Sequence, residues 1–161
     1  MSKTIVAGTS ITFSYTYDEL FDVVSLKTSD IAVSLKDNEG DSMLDDFGIT
    51  EDEQYTVIQK MQDGANEIFN KLLKITNGLA DSIQISATNV SCAIKDKEAY
   101  NMNVVDAIDR TMKNALINYI IMDWFRDKNL QDFATIFERK YRLNVREIEK
   151  RSVQLRKPTI S

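Results

Sequence analysis

Two stretches of the chain alternate between apolar and polar residues, which is the pattern of a strand with one buried face. Residues 10–17 place large apolar or aromatic side chains on one side and Ser or Thr on the other. Residues 82–95 alternate too, but the phase breaks at Thr88 and Asn89. The break predicts either two short strands joined by a turn or one strand with a bulge. Together the two stretches predict a small antiparallel sheet.

Four longer stretches carry apolar residues three or four positions apart, which is the spacing of one helix face. A capping box of Thr50 and Glu53 marks the start of the second stretch, and its apolar stripe begins with Tyr55. The 161 residues include only one Pro and five Gly, and so few helix-breaking residues favour long helices. The predicted helices span residues 18–36, 51–76, 103–127 and 130–152.

These elements predict a single α+β domain that is mostly α-helical: an antiparallel bundle of about four helices with a small antiparallel β-sheet. A chain of 161 residues buries roughly 70% of its unfolded surface when it folds as one domain. We expect this domain to comprise residues 1–152. Residues 153–161 are predicted to form an extended C-terminal tail, because Pro158 disfavours helix at the residue before it.

The third and fourth helices carry the densest apolar pattern, and a short polar turn at residues 127–129 joins them into a hairpin. The third helix is apolar on most sides around residues 115–125, so we expect it to be the most enclosed helix of the fold. Core packing explains the aromatic residues of the hairpin better than stacking on nucleic-acid bases, because they recur at helical spacing. They are Trp124, Phe125, Phe133, Phe137 and Tyr141.

An acidic segment separates the first two helices: residues 37–53 contain eight acidic residues and no basic residue. A calcium loop of the EF-hand type would need Gly at its sixth position and Glu at its twelfth. Counted from Asp37, Gly40 falls fourth and Gly48 twelfth, so the spacing does not match. A solvated acidic loop with one helical turn around residues 43–47 is the favoured interpretation.

The sequence offers few groups for catalysis. It contains no histidine, which excludes histidine-based triads and zinc sites, and it has no phosphate loop or nucleophile elbow. The single cysteine, Cys92, is in phase with apolar neighbours, so we predict a buried small apolar residue and not a catalytic thiol. We expect no catalytic site, no cofactor and no metal ion. The helix acids predicted to be solvent-facing or capping residues are Asp106, Asp109, Asp123 and Asp127.

The charge of the chain is unevenly distributed. The net charge is −5, but residues 1–109 hold 8 basic and 19 acidic residues, whereas residues 110–161 hold 12 basic and 6 acidic residues. The two parts therefore carry −11 and +6. Such asymmetry can orient a protein between unlike partners or among copies of itself. Solvated helix faces of different charge would explain it equally well.

Basic residues at the C-terminal end are the best candidates for contacting a partner. Part of the helix charge is predicted to be paired internally, because Glu138 precedes Arg142 by four residues and Glu147 stands in the same relation to Arg151. Direct binding of nucleic acid is not expected, since the chain is acidic overall and lacks a stacking platform. The candidate docking residues are Arg146, Lys150, Arg151, Arg156, Lys157 and Pro158.

The sequence also bears on location. No apolar run approaches the roughly 20 residues needed to span a membrane, and the N-terminal residues are too polar for a signal peptide. A single cysteine cannot form an internal disulfide, which fits a reducing compartment. We expect a soluble protein that is made in the cytoplasm and has no membrane partner.

Residues 115–158 carry a resemblance that covers about half the chain. A long helix ends in Asp123-Trp124-Phe125, a short turn follows, and a second helix contains Phe137 and Tyr141. The chain then closes with Leu155-Arg-Lys-Pro158. This order resembles the C-terminal half of small virion proteins of tailed bacteriophages, of the neck or head–tail connector type.

The start of the first helix, Tyr17-Asp-Glu-Leu-Phe21, is also similar to the helix start in those proteins. The resemblance implies a structural virion protein that forms a ring in the neck, the head–tail connector or the tail. Its partners would be further copies of itself and portal or other neck and tail proteins, and DNA would pass through the channel without sequence-specific binding. The protein would be located in the virion and assembled in the host cytoplasm.

Two other functions remain open on the sequence. A cytoplasmic helical adaptor that binds one or two protein partners is the main alternative. A small enzyme that uses paired carboxylates is the less favoured one. A large ring or a partner-dependent ring would favour the virion protein, whereas a stable monomer or dimer would favour the adaptor.

Overall fold

A computed structural model describes residues 3–6, 10–76, 82–95 and 100–155. Its strands are β1 (Lys3–Val6), β2 (Ser10–Thr16), β3 (Ile83–Ile85) and β4 (Asn89–Lys95). They form one antiparallel sheet in the order β1-β2-β4-β3. The stretch 82–95 is therefore two short strands joined by a turn, which decides between the two alternatives left by the sequence.

One face of this sheet is buried in the core. Alternate residues of β2, from Ile11 to Tyr15, are fully buried. They lie beside alternate buried residues of β4, and Phe13 is opposite Cys92 in the register of the two strands. The prediction that Cys92 is a buried apolar residue is confirmed.

The predicted fold class, α+β and mostly α-helical, is confirmed. All four predicted long helices are present, and a single 3₁₀ turn at Glu51–Glu53 precedes the second of them. The predicted helical turn in the acidic segment is also present as a short helix. The helices are α1 (Tyr17–Ser34), α2 (Leu44–Phe47), α3 (Gln54–Thr76), α4 (Met102–Asp127) and α5 (Gln131–Val153).

The start of α3 confirms one prediction and corrects another. The capping box is formed, since the backbone N–H of Thr50 donates to Oε2 of Glu53 at 2.7 Å. Tyr55 does not belong to the buried stripe, because it is 75% exposed. It lies at the edge of the stripe in the first turn of α3, and Val57 takes the position that faces the core.

As predicted, α4 is the most enclosed of the described helices, and α5 packs along it. The Phe125 ring lies 5.5 Å from that of Phe133 and 6.0 Å from that of Phe137. Farther from the turn, the rings of Tyr119 and Tyr141 meet edge to face at 5.4 Å. These aromatic residues belong to the core between the two helices, which confirms the prediction from their spacing.

A glycine sets the approach of α3 to α4. A Cβ atom at Gly64 would lie 2.6 Å from Cδ1 of Tyr119, well inside van der Waals contact. Gly64 therefore marks close packing between the two helices. Any larger residue would have to push the Tyr119 ring away from α3.

The turn between α4 and α5 reverses the chain without a glycine. Asn129 takes a left-handed backbone conformation with φ of 59°, which asparagine tolerates better than most residues. The N–H of Leu130 then donates to the carbonyl of Phe125 at 2.9 Å, which closes the end of α4. This local geometry directs α5 back along α4.

The boundary predicted between the domain and its tail is too early. Val153 is still part of α5, and Leu155 is buried in the core. The backbone N–H of Asn101, at the start of α4, donates to the carbonyl of Leu155 at 2.8 Å. The packed chain therefore reaches residue 155, and residues 156–161 lie outside the described residues.

The acidic segment 37–53 is only partly a solvated loop. In its first half, the carboxylate of Asp37 accepts two backbone N–H groups at 2.8 Å each, which closes a tight exposed turn. In its second half, Nε1 of Trp124 donates to the carbonyl of Phe47 at 2.8 Å, and Ile49 is buried. The second half is therefore anchored to the core.

Candidate protein-interaction surface

The structure separates the predicted docking residues. Arg146 and Lys150 are exposed on α5. Arg151 is half-buried, and its Nε lies 2.5 Å from a carboxylate oxygen of Glu147, so its charge is already paired. The docking role of the remaining three stays a prediction, because they lie outside the described residues: Arg156, Lys157 and Pro158.

The side of α5 that points away from α4 exposes apolar side chains as well as basic ones. Ile136, Leu143 and Val153 are 47%, 57% and 76% exposed. Together with three basic residues they recur at alternating steps of three and four, which places all six on one side of the helix. We call this surface the α5 outer face, and it comprises Ile136, Arg139, Leu143, Arg146, Lys150 and Val153.

The basic charge of the α5 outer face is not neutralised within the described chain. Both intrahelical pairs predicted for α5 are present, the second joining Arg142 to Glu138 at 2.6 Å. Among the residues that the structure describes, Arg139, Arg146 and Lys150 form no ion pair. The outer face therefore presents three uncompensated positive charges between its aliphatic side chains.

A depression of about 240 Å³ lies on this face between the long basic side chains. All of its lining residues belong to α5, so it is a dent in one helix surface and not a cleft between elements. Small-molecule sites are usually enclosed by several elements, and this shape instead suits a protein side chain from outside. Its lining residues are Thr135, Glu138, Arg139, Arg142, Leu143 and Arg146.

One edge of α5 is fixed to α3. The hydroxyl of Tyr141 donates to Oε1 of Glu67 at 2.5 Å. Burial, together with the hydrogen bond to Glu67 and its negative charge, raises the pKa of Tyr141. The phenol therefore remains protonated near neutral pH and holds the two helices together.

The other edge of α5 is fixed to α4 beside α1. Nδ2 of Asn118 donates to Oδ1 of Asn144 at 2.7 Å across the two helices. The pair lines a groove of about 330 Å³, and Lys27 of α1 and Lys140 of α5 line the same groove. With both edges attached to neighbouring helices, α5 presents its outer face from a fixed position.

A second exposed face of mixed character lies on α1. Leu26 and Val33 are 64% and 48% exposed and stand seven residues apart. The exposed carboxylates of Asp22 and Asp30 flank them on the same side of the helix. We call this set of four residues the α1 outer face.

Sequence reasoning missed the apolar part of both outer faces. The prediction followed the larger apolar stripe of each helix and did not consider the aliphatic residues on the opposite side. The signal that could have found it is the seven-residue spacing of Leu26 with Val33 and of Ile136 with Leu143.

A lysine buried between α3 and α4 corrects the predicted roles of two helix acids. Nζ of Lys60 lies 2.7 Å from Oδ2 of Asp123 and 2.5 Å from Oδ2 of Asp127. Burial alone would lower the pKa of Lys60, but hydrogen bonds to the two carboxylates and their charge raise it above its ordinary value. These two acids therefore hold a buried cation and are not simply solvent-facing residues.

The prediction for Asp109 is wrong, because this residue is buried. The hydroxyl of Tyr15, on β2, donates to Oδ1 of Asp109 at 2.7 Å and also lies 3.0 Å from its carbonyl oxygen. Burial and the neighbouring carboxylate raise the pKa of Tyr15 well above its usual value. This pair joins the sheet to α4.

The pKa values of Cys92 and Lys60 are both raised, so both groups keep their protons near neutral pH. Burial raises the pKa of the Cys92 thiol to about 12, so it is not a thiolate near neutral pH. Lys60 stays protonated for the reasons given above, and a protonated amine is not a nucleophile.

Within the described ranges, no three His, Cys, Asp or Glu side chains are grouped to hold a metal ion. No described helix is both long and apolar enough to cross a membrane.

Comparison with known proteins adds no family to these observations: no protein-family model, no curated protein and no solved structure matches the chain. Three features of the chain therefore bear on its function: the α5 outer face, the α1 outer face, and the resemblance carried by residues 115–158.

Proposed function

We propose that this protein is a structural virion protein of a tailed phage, a ring subunit of the neck, the head–tail connector or the tail, without catalytic activity. The observation that carries the proposal is the α5 outer face. There, the exposed aliphatic side chain of Leu143 lies between the guanidinium groups of Arg139 and Arg146, neither of which forms an ion pair with a described residue. Adjoining aliphatic and arginine side chains are typical of surfaces that bind protein.

The support for α5 favours a role in assembly. Its inner side is packed on α4 through Phe137, and its edges are joined to α3 by Tyr141 and to α4 by Asn144. A surface held in this way loses little conformational freedom when a partner docks. Repeated docking of identical subunits, as in a ring, requires such a defined surface.

The proposal also includes the basic residues that follow Leu155. Leu155 is anchored in the core, and Arg156 and Lys157 follow it directly in the sequence. In the proposal, these residues contact a neighbouring subunit or a portal or tail protein. DNA passes through the channel of the ring without sequence-specific contact.

The proposal can be tested on phage particles produced from the genome that encodes this chain. We expect mass spectrometry of purified particles to detect the protein at a fixed ratio to the portal protein. Leu143→Glu should remove it from the particles, because a carboxylate would replace the central apolar contact of the α5 outer face. Tyr55→Glu is the matched control, since it changes a large side chain that is 75% exposed, against 57% for Leu143, on a different helix.

Two results would contradict the proposal. The first is the absence of the protein from particles that carry the wild-type gene. The second is normal incorporation of the Leu143→Glu variant. A protein that stays outside the particles, but still binds one or two proteins through the same face, would be the helical adaptor considered on the sequence.

A further inference from the structure

The two outer faces match each other in the spacing of their apolar residues. Leu26 and Val33 on α1 are seven residues apart, and so are Ile136 and Leu143 on α5. Seven residues span about 10 Å along a helix, so each face presents two aliphatic side chains at the same separation. All four are substantially exposed.

Their charges are complementary. The aliphatic pair on α1 is flanked by the carboxylates of Asp22 and Asp30, both exposed. The pair on α5 is flanked by Arg139 and Arg146, and Lys150 lies one turn farther on. Opposite charges placed around matching apolar contacts favour association and fix the relative position of the two surfaces.

The charge pattern selects one orientation of the two helices. If they run antiparallel, with Leu26 over Leu143 and Val33 over Ile136, Asp30 is level with Arg139. The same alignment brings Asp22 level with Glu147, whose charge is already paired with Arg151, and one residue from Arg146. If they run parallel with the apolar pairs aligned, Asp22 is instead level with Asp132, an unfavourable contact between like charges.

We infer that the occupant of the α5 outer face is the α1 outer face of a second copy of this chain, packed antiparallel to it. This inference rests on the proposed function, because it specifies how one ring subunit contacts the next. Each copy carries one face of each kind. A contact between two unlike faces leaves the other two free, so it can be repeated from copy to copy until a ring closes.

The groove beside α5 is consistent with this arrangement. Lys27 of α1 and Lys140 of α5 line this groove together with Asn118 and Asn144. Leu143 of the α5 outer face lines it too, and the residues of each outer face lie on the side of the helix opposite its buried stripe. Both faces are therefore open to another molecule.

Complementary variants provide the test. Leu26→Lys places a positive charge against the basic α5 outer face of the next copy, and Leu143→Glu places a negative charge against the acidic α1 outer face. We expect each variant alone to weaken self-association at least about tenfold. In an equimolar mixture, the introduced lysine meets the introduced glutamate at one contact, and the other contact is the native one. We therefore expect the mixture to regain the sedimentation behaviour of the wild type.

The controls separate this contact from unfolding and from other partners. Circular dichroism should show that both variants are folded, as expected for changes at exposed positions, and Tyr55→Glu should self-associate like the wild type. Three results would overturn the inference: self-association unaffected by either variant, sensitivity to Leu143→Glu without sensitivity to Leu26→Lys, or failure of the mixture to recover. Sensitivity to Leu143→Glu alone would assign the α5 outer face to a different protein.

The inference and the proposed function can fail separately. If the complementary variants behave as expected but the wild-type assembly contains only two copies and is missing from phage particles, the contact stands and the ring function fails. If the protein is present in particles, Leu143→Glu is excluded from them and Leu26→Lys is incorporated normally, the virion function stands and this contact is wrong.

Discussion

The inner and outer sides of α5 use similar residue types for different purposes. On the inner side, Phe137 and Tyr141 are buried against α4, and their polar or aromatic contacts are all within the chain. On the outer side, Ile136 and Leu143 remain exposed, and the nearby cations Arg139 and Arg146 are unpaired among the described residues. In our proposal, stability and association depend on neighbouring residues of one helix, so that each property can be changed without the other.

The largest expected effect comes from adjacent residues on the two sides. Phe137→Ala should lower the free energy of unfolding by about 3–5 kcal/mol, because it leaves a cavity beside Phe125. Ile136→Ala should change it by less than about 0.5 kcal/mol, because this side chain is already exposed. Denaturant unfolding of both variants measures the difference. Equal losses of unfolding free energy in the two variants would mean that the inner and outer sides of α5 contribute equally to stability, which would contradict the comparison.

A smaller effect is expected from ion pairs inside and outside the core. Lys60→Met should lower the free energy of unfolding by about 2 kcal/mol, because Asp123 and Asp127 would lose the cation that they share. Arg142→Met should cost no more than about 0.5 kcal/mol, because the pair with Glu138 is exposed to water. Denaturant unfolding of the two variants measures both losses. A larger loss for Arg142→Met than for Lys60→Met would contradict the distinction.

The smallest expected effect is a dependence of stability on alkaline pH. Burial raises the pKa of Cys92 from its ordinary 9.0 to about 12. Between these two pH values, the Cys92 thiol is protonated in the folded chain and deprotonated in the unfolded chain. The resulting stabilisation is complete below pH 9 and is lost as the pH rises toward 12.

Between pH 8 and pH 10, the titration of this thiol should lower the free energy of unfolding of the wild type by about 1.4 kcal/mol. The Cys92→Ala variant lacks the thiol and should not show this loss. Denaturant unfolding of both proteins at the two pH values gives the comparison. Because the change with pH is taken within each protein, the stability that Cys92→Ala loses with the side chain itself cancels. Parallel loss in the two proteins would show that Cys92 is accessible to solvent.

Local patterns predicted the helices and strands well, because one dominant apolar stripe fixes each element and its period. They failed where a role depends on residues far apart in the chain. Asp109 is buried because Tyr15 on the sheet reaches it, and Lys60 is buried because α3 crosses α4 at Gly64. Neither contact has a signal in the local sequence around the charged residue.

The candidate site was predictable only in part. The basic character of Arg146 and Lys150 follows from the sequence, and the pairing of Arg151 with Glu147 follows from their spacing. The exposure of Leu143 does not follow from the sequence, because an aliphatic residue on a helix is usually assigned to the core. Only the position of α5 against α4 decides which of its aliphatic residues face outward.

The most direct test of the account is the mass of the purified protein in solution, measured by sedimentation equilibrium over a range of concentrations. The single chain has a mass of 18.4 kDa. We predict that the wild type forms a species several times heavier and that the Leu143→Glu variant sediments as the single chain. A wild type that stays at the mass of one chain at every concentration, indistinguishable from the variant, would contradict the claim that the α5 outer face assembles copies of this protein.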